Sequence, residues 1–416
     1  MPDLRLEFDF ADDSRRPGSA IPVFFRHTGV KGSLRAFNVS NNDVDKIKIV
    51  LRGFLLNVVG HRCPQFQLSH DMVVEHQLLK LVDVHFSASQ HSRTSDDVDC
   101  EEFPFDFKLK ARSCSAPEDR HDSPIFPATT LPSSVDVLGP WCTAAAGEVN
   151  CRAETQVRYE VEAYAYRGDD AVSAAVQQVR IFDIVDAHPP PIHMADFPGE
   201  YTCSQEHKLK RSFSRSGRRM MIAVAQPKPL EISLDKDVSM VAFHVSFFVE
   251  DGPTHSSPPS TLHIRVDSLL RSTTFIALRQ MDMHPTVAQA RRTPFLAAVP
   301  KFGRPYHRKL HITNWTRCPP GNKVSRWWMN ETVVWLPITE KSNPAPTFFT
   351  PFISRRYSVS LRFAAKGDGK ANFLLQVPLQ IVYPTLLGSA APAYDAEPPQ
   401  DESIELGPER LPLYVR

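Results

Sequence analysis

The chain has 416 residues, enough for two or three domains with packed cores, and 42% of them are hydrophobic. Its 48 basic and 47 acidic residues nearly cancel, so no overall field draws the protein to nucleic acid or to a membrane surface. The 36 prolines against 17 glycines are typical of strands and loops and argue against a helical bundle.

The first half of the chain shows the apolar–polar alternation of half-buried strands. This alternation predicts strands at residues 4–10, 34–39, 44–53 and 103–109. Residues 73–82 fit both a strand and one face of a helix, so both interpretations stay open at this point.

The first half closes with a predicted antiparallel hairpin. Its strands cover residues 157–166 and 171–181, and Gly168-Asp169 supplies the reversal. The tripeptide Arg167-Gly168-Asp169 matches an integrin-binding sequence, but its place at the reversal indicates a turn. The chain also begins without an apolar signal sequence, from which we expect a reducing compartment.

The second half repeats this order. Alternating residues predict strands at 241–249 and 262–269, and a hairpin follows at residues 356–363 and 373–381 with Gly367-Asp368-Gly369 at its turn. Two closing hairpins about 200 residues apart indicate a duplicated β-sandwich and not one larger domain.

We therefore predict an all-β chain of two tandem immunoglobulin-like β-sandwich domains with a disordered C-terminal tail. The expected boundaries are an N-terminal sandwich at 1–187, a linker at 188–219, a C-terminal sandwich at 220–385 and the tail at 386–416. The tail loses strand patterning and is rich in Ala, Pro, Glu and Asp.

The predicted linker contains a basic, serine-containing run, which is typical of exposed chain. Its candidate contact residues are Lys208, Lys210, Arg211, Ser212, Ser214, Arg215, Ser216, Arg218 and Arg219. Arg211 stands three residues before Ser214, which suits basophilic kinases and approximates a 14-3-3 docking sequence. The alternatives are contact with anionic lipid and a solvated linker.

No pattern for catalysis, metal binding or cofactor binding is present. The seven cysteines include no C-x-x-C pair, and the 16 histidines include no H-E-x-x-H. No G-x-S-x-G or phosphate-cradling glycine loop occurs, so we predict no enzyme, no metal and no cofactor. Four tryptophans, Trp315, Trp327, Trp328 and Trp335, favour packing over a ligand platform.

Several of these patterns occur in an order that resembles a known family. Residues 44–53, Phe103–Phe107, Leu131-Pro132-Ser133-Ser134 before Tyr159, and Arg355-Arg356-Tyr357 together resemble the fungal arrestin-like proteins, also called α-arrestins or arrestin-related trafficking adaptors. The resemblance covers roughly residues 1–385. It implies two arrestin-type sandwiches and a non-catalytic adaptor that binds cytoplasmic parts of membrane transporters or receptors.

The resemblance also implies recruitment of HECT-type ubiquitin ligases, whose WW domains bind P-P-x-Y motifs in family tails. This tail has two degenerate versions: Leu411-Pro412-Leu413-Tyr414, and a weaker Pro392 with Tyr394. Proline presets the polyproline-II backbone, and the tyrosine fills a neighbouring pocket.

The expected location is the cytoplasm, with recruitment to the plasma membrane and endosomes through cargo. No nucleic-acid partner is expected. The alternative function keeps the arrestin fold but makes the protein a structural scaffold or endosomal sorting-coat subunit without ligase recruitment. A tail that binds WW domains separates the first function from the second.

Overall fold

The computed structural model describes residues 3–10, 21–26, 28–39, 42–63, 68–86, 100–109, 131–143, 150–182, 194–209, 218–232, 239–251, 258–259, 261–318, 327–338, 345–367 and 369–383. Strands make up most of this part of the chain and form several sheets, which confirms the predicted all-β sandwich fold. We call residues 3–182 the first half and residues 194–383 the second half.

The first half forms two sheets. Its strands are β1 (Arg5–Phe10), β2 (Val23–Phe25), β3 (Val30–Phe37), β4 (Lys46–Cys63), β5 (Leu68–Phe86), β6 (Cys100–Phe107), β7 (Val135–Thr143), β8 (Asn150–Arg167) and β9 (Asp170–Phe182). One sheet has the order β1-β3-β6. The other has the order β2-β9-β8-β4-β5, with β7 also paired to β8.

The second half contains the remaining strands and a short helix. The strands are β10 (Ser204–Lys208), β11 (Arg219–Val224), β12 (Leu230–Glu231), β13 (Ser239–Glu250), β14 (Leu262–Ala277), β15 (Leu296–Ile312), β16 (Thr316–Arg317), β17 (Trp327–Ile338), β18 (Phe348–Phe349), β19 (Ile353–Lys366), β20 (Lys370–Leu379) and β21 (Ile381–Val382). Helix α1 spans Val287–Arg292, and a 3-10 turn spans Met194–Asp196. The sheet orders are β10-β11-β13-β17-β16, β12-β21 and β15-β14-β19-β18, with β20 beside β19.

The two halves share one pattern of strand pairing, to which the second half adds β10 and β16. In the first half β8 pairs with β4, β7 and β9, and in the second β19 pairs with β14, β18 and β20. The three-stranded series β1-β3-β6 corresponds to β11-β13-β17, and the parallel pair β2-β9 corresponds to β12-β21. Among the described residues, every sheet is built from strands of one half only.

Both predicted hairpins are present. Strands β8 and β9 meet at Arg167 and Asp170, and β19 and β20 meet at Lys366 and Lys370. Gly168 has φ +60°, a left-handed conformation that glycine adopts without steric cost. Its amide donates to Asp45 at 2.9 Å, so the Arg-Gly-Asp sequence forms a turn.

Residues 73–82, for which strand and helix were both open, belong to strand β5. The register against β4 shifts between Gly53 and Phe54, because Leu78 is an extra residue on β5. Before the bulge the even-numbered residues, such as Val74 and Leu78, are half-buried, and after it the odd-numbered residues, such as Leu81, are half-buried. The change makes the spacing of Val74, Leu78 and Leu81 resemble that of a helical face.

A buried tyrosine fixes the same corner in each half. The Tyr159 hydroxyl on β8 donates to the carbonyl of Pro132 at 2.7 Å, and the Tyr357 hydroxyl on β19 donates to the carbonyl of Ala345. Both side chains are almost completely buried. Gly53 on β4 leaves room for the Tyr159 ring, since a Cβ there would lie 2.6 Å from a ring carbon.

The same corner carries a second repeated contact. The Ser134 hydroxyl accepts from the Ile181 amide at 2.9 Å, and the Thr347 hydroxyl accepts from the Ile381 amide at 3.0 Å. In both cases the backbone amide of the hydroxyl residue donates back, to the carbonyl of Ile181 or Ile381, at 2.8 Å. The duplication therefore extends to individual hydrogen bonds.

Candidate functional site

A buried arginine of strand β19 holds the chain that connects the two halves. Residues 194–203, which we call the connecting segment, cross the outer face of β19 and β20. Arg356 is only 3% exposed. It donates to a Glu200 carboxylate oxygen at 3.0 Å, to the Tyr201 hydroxyl at 2.7 Å and to the Pro285 carbonyl at 2.7 Å.

Aromatic rings enclose the same guanidinium group. Its central carbon lies 4.0 Å from the ring centre of Phe197 and 4.7 Å from that of Phe275. A planar guanidinium stacks on aromatic faces while its edge donates hydrogen bonds, which an ammonium group cannot do in this geometry. Arg356 therefore joins the connecting segment to the sheet.

Glu200 extends this contact to helix α1. One of its carboxylate oxygens accepts from Arg356, and the other accepts from the amide of Val287, the first helical residue. The helix begins with a capping box in which Thr286 and Gln289 exchange side-chain and backbone hydrogen bonds. Both carboxylate oxygens of Glu200 are therefore engaged inside the protein.

The neighbouring Arg355 points to the opposite face of the sheet, into the sandwich. It is 5% exposed and donates to the hydroxyls of Tyr357, Thr274 and Ser272 at 2.7, 3.1 and 3.3 Å. No carboxylate of the described residues lies within ion-pair distance. Neutral acceptors alone hold this charge.

His284 lies near Arg356. Its Nδ1 is 2.7 Å from the Ser354 hydroxyl, and its ring packs 5.1 Å from the ring of Phe349. Burial, with a further contribution from the positive charge of Arg356, lowers the pKa of His284 to about 3. The imidazole is neutral at physiological pH.

Asn57 connects the two halves by hydrogen bonds. Asn57 on β4 is fully buried, and its amide nitrogen donates to the carbonyls of Ala277 at 2.9 Å and Phe352 at 3.0 Å, both in the second half. Its oxygen accepts from the Thr155 hydroxyl at 2.6 Å. The amide group thus uses both donors and its acceptor.

Apolar side chains also make contacts between the two halves. Val59 and Ala153 of the first half form a small buried cluster with Ile276 and Ala297 of the second half. Tyr383 stacks on Phe182, with ring centres 5.2 Å apart. The junction therefore combines nondirectional apolar packing with directional hydrogen bonds.

The basic run only partly falls within the described residues. Lys208 lies on β10, directly opposite Arg219 on β11, so the two ends of the run form a β-hairpin of the second half. Arg219 lies 2.7 Å from Glu250 and 3.2 Å from Glu206 and stacks on Trp327. The structure thus places strand β10 inside the range 188–219 that the composition predicted as linker.

The other predicted contact residues have different outcomes. Arg218 is half-buried, and the Leu209 amide donates to its carbonyl. The residues outside the described part of the chain are Lys210, Arg211, Ser212, Ser214, Arg215 and Ser216. The WW-binding candidates also lie outside it, and these are Pro392, Tyr394, Leu411, Pro412 and Tyr414.

The four tryptophans of the second half do not form one platform. Trp327 is buried at the start of strand β17, whereas Trp335, near the end of that strand, is 47% exposed. The Trp328 indole donates to Asp251, and Trp315 packs against the edge of the core. The positions of Trp315, Trp327 and Trp328 agree with the packing interpretation, whereas the exposed Trp335 does not.

The described part of the chain contains thiols, but neither a candidate metal-binding cluster nor a helix that could span a membrane. Cys203 and Cys318 are thiols outside any disulfide, and burial raises the pKa of Cys203 to about 11. The described residues include no group of three or more His, Cys, Asp or Glu that could hold a metal ion. No helix of the described chain is long and apolar enough to cross a membrane.

Sequence reasoning did not select Asn57, Arg356 or Glu200 as functional residues. A sequence signal was present for Asn57, since this residue interrupts the apolar run from Leu55 to Val59. Comparison of the chain with models of known protein families and with curated proteins finds no match. Function is therefore inferred from sequence patterns and geometry.

Proposed function

We propose that the chain is a non-catalytic, arrestin-like adaptor. It binds cytoplasmic segments of membrane transporters or receptors and recruits a HECT-type ubiquitin ligase through its tail. The observation that carries this proposal is the repetition of one pattern of strand pairing in the two halves, with the Tyr159 and Tyr357 contacts at equivalent corners. Two tandem sandwiches are the architecture that the resemblance to arrestin-like proteins implies.

The junction supports a role as an adaptor. Asn57 and the small apolar cluster hold both halves in contact, and Arg356 holds the connecting segment against the second half. An adaptor has to present one partner to another, and a fixed arrangement of its halves reduces the entropy lost when both are bound.

The open edge of strand β5 offers a surface for an extended cargo segment. Within the described residues β5 pairs with β4 on one side only, so its other edge has free backbone groups. Val82, Val84 and Phe86 are exposed on one face, with Phe86 75% exposed. Lys46 and Lys48 lie opposite Phe86 and Val84 on β4, which favours segments that combine apolar and acidic residues.

The ligase-binding step is tested with WW domains and the intact chain. Tyr414→Ala should abolish capture, because loss of a buried aromatic anchor commonly costs about 2 kcal/mol or more. Leu413→Ala is the matched control and should leave capture nearly intact, since the motif leaves this position open. Leu411→Pro should strengthen binding by lengthening the preorganised polyproline segment.

The outcome also separates the proposal from its alternative. If the wild-type tail captures no WW domain at tens of micromolar while the Leu411→Pro tail does, ligase recruitment is rejected for this chain. The protein would then be a scaffold or sorting-coat subunit with the same fold. In the adaptor proposal the protein works in the cytoplasm and reaches the plasma membrane and endosomes through its cargo.

A further inference from the structure

A cavity lies between the connecting segment, helix α1 and the outer face of strands β14, β19 and β20. Its volume is about 250 Å³. At roughly 30 Å³ for each water molecule, this corresponds to about eight waters. The space is small for a drug-sized molecule, whose pockets begin near about 300 Å³, but it suits a small anion with a short substituent.

The lining of the cavity is strongly unbalanced in charge. Three arginines, Arg271, Arg291 and Arg356, face one carboxylate, Glu200. Glu200 is already engaged by Arg356 and by the amide of Val287. No carboxylate of the described residues lies within ion-pair distance of Arg271 or Arg291, which leaves the cavity with an excess of two positive charges.

Arg271 is half-buried and packs 5.8 Å from the ring centre of Phe302, but it has no ion-pair partner among the described residues. Its Nε is buried and has no hydrogen-bond acceptor among the described residues. Burial is the main cause that lowers the pKa of Arg271, and the charges of Arg291 and Arg356 act in the same direction. Burial disfavours the charge of Arg271, so an anion in the cavity that this residue lines would stabilise it.

We propose that this cavity binds the dianionic phosphate group of a phosphate monoester or of free phosphate. The charge of such a group matches the excess charge, and its oxygens accept bidentate hydrogen bonds from guanidinium groups. Thr273 and Gln376, which also line the cavity, supply neutral donors for the remaining oxygens. This binding site is separate from the proposed cargo edge and from the ligase-binding tail.

The adjacent arginines of helix α1 provide a matched test. Arg291 lines the cavity and Arg292 does not, although both are exposed and sit in the same last turn. Calorimetric titration of the full chain with inorganic phosphate and with glycerol 3-phosphate should detect binding. We expect Arg291→Gln to weaken it at least about tenfold, the loss of one charge-assisted contact, and Arg292→Gln to leave it unchanged.

Arg271→Gln gives a second variant on strand β14 and should weaken binding to a similar extent. Unchanged urea midpoints for the Arg291 and Arg292 variants establish that both remain folded. The proposal is overturned if neither ligand binds, or if Arg291→Gln and Arg292→Gln weaken binding equally, because that result would indicate general attraction to positive charge.

Vesicles distinguish the two sources of a phosphate monoester. Phosphatidic acid presents a monoester, whereas phosphatidylglycerol presents a diester and serves as the anionic control. A lipid headgroup is identified if the protein is retained on phosphatidic acid vesicles, if glycerol 3-phosphate competes with this retention, and if Arg291→Gln abolishes it. Titration by the soluble ligands without vesicle retention would identify a soluble ligand. Vesicle retention unaffected by Arg291→Gln, without soluble binding, would refute the cavity site.

Discussion

Replacing Asn57 by aspartate should weaken the contact between the halves in a pH-dependent way. The substitution keeps the shape of the side chain but turns its donor nitrogen into an oxygen. That oxygen would face the carbonyls of Ala277 and Phe352, which the nitrogen contacts at 2.9 and 3.0 Å. Because the site is fully buried, the ionised carboxylate would have neither water nor a donor on that side.

The size of the effect follows from burial. A fully buried carboxyl group can have its pKa raised by about 3–5 units, and each unit corresponds to about 1.36 kcal/mol. The Asn57→Asp variant, when ionised, should therefore lose about 4–7 kcal/mol, a large part of the roughly 5–15 kcal/mol that stabilises a typical protein. Asn57→Ala should lose about 2–6 kcal/mol at any pH, since two buried carbonyls lose their donor at about 1–3 kcal/mol each.

The sign of the pH dependence separates the two variants. The new carboxyl group has a pKa near about 3.9 in the unfolded chain and a raised pKa in the folded chain. Its penalty is small below about pH 4, where both states are protonated, and grows as the pH rises toward the folded-state pKa. Urea denaturation of Asn57→Asp and Asn57→Ala near pH 4 and pH 8 measures the difference. Equal pH dependence of the two variants would refute the reasoning.

Two further predictions concern other buried groups. Tyr159→Phe should lower the free energy of unfolding by about 1–3 kcal/mol, because it leaves the Pro132 carbonyl without its donor; Tyr357→Phe should cost more, because Arg355 also loses an acceptor. Urea denaturation measures both, and equal losses would contradict this order. The pKa of His284 is about 3 in the folded chain, below its unfolded value, so protonation favours the unfolded chain as the pH falls. The free energy of unfolding of the wild type should therefore drop by about 2 kcal/mol by pH 5, and His284→Gln should flatten this pH dependence. Parallel stability curves for variant and wild type would count against it.

The closing hairpins could be predicted because all their determinants are local. Alternation at a period of two and a glycine at the reversal specify β8–β9 and β19–β20 within about 25 residues each. Strand β5 was ambiguous because the bulge at Leu78 shifts the alternation by one position. The composition of the basic run suggested a linker. In the structure Lys208 on β10 pairs with Arg219 on β11, and β11 pairs in turn with β13, so these strands belong to a sheet whose other members lie outside the run.

The buried polar contacts could not be predicted from local pattern. Arg356 meets Tyr201 and Glu200 across 155 and 156 residues of chain, and Asn57 reaches its two acceptors across 220 and 295 residues. A single sequence shows that a polar residue interrupts an apolar strand. It does not show which distant backbone carbonyl will satisfy that residue, because this depends on how the finished sheets pack.

These contacts bear on how an adaptor of this kind would keep its geometry. The apolar cluster around Val59 gains from burial in many relative arrangements of the halves, since apolar packing has no preferred direction. The two hydrogen bonds from Asn57 to Ala277 and Phe352 are directional, and a displacement of either half would leave these groups unpaired. Apolar packing therefore favours contact between the halves, and the hydrogen bonds of Asn57 favour one orientation of that contact. If cargo binds at the β5 edge, that orientation sets the direction from the cargo to the second half, which precedes the tail proposed to bind a ligase.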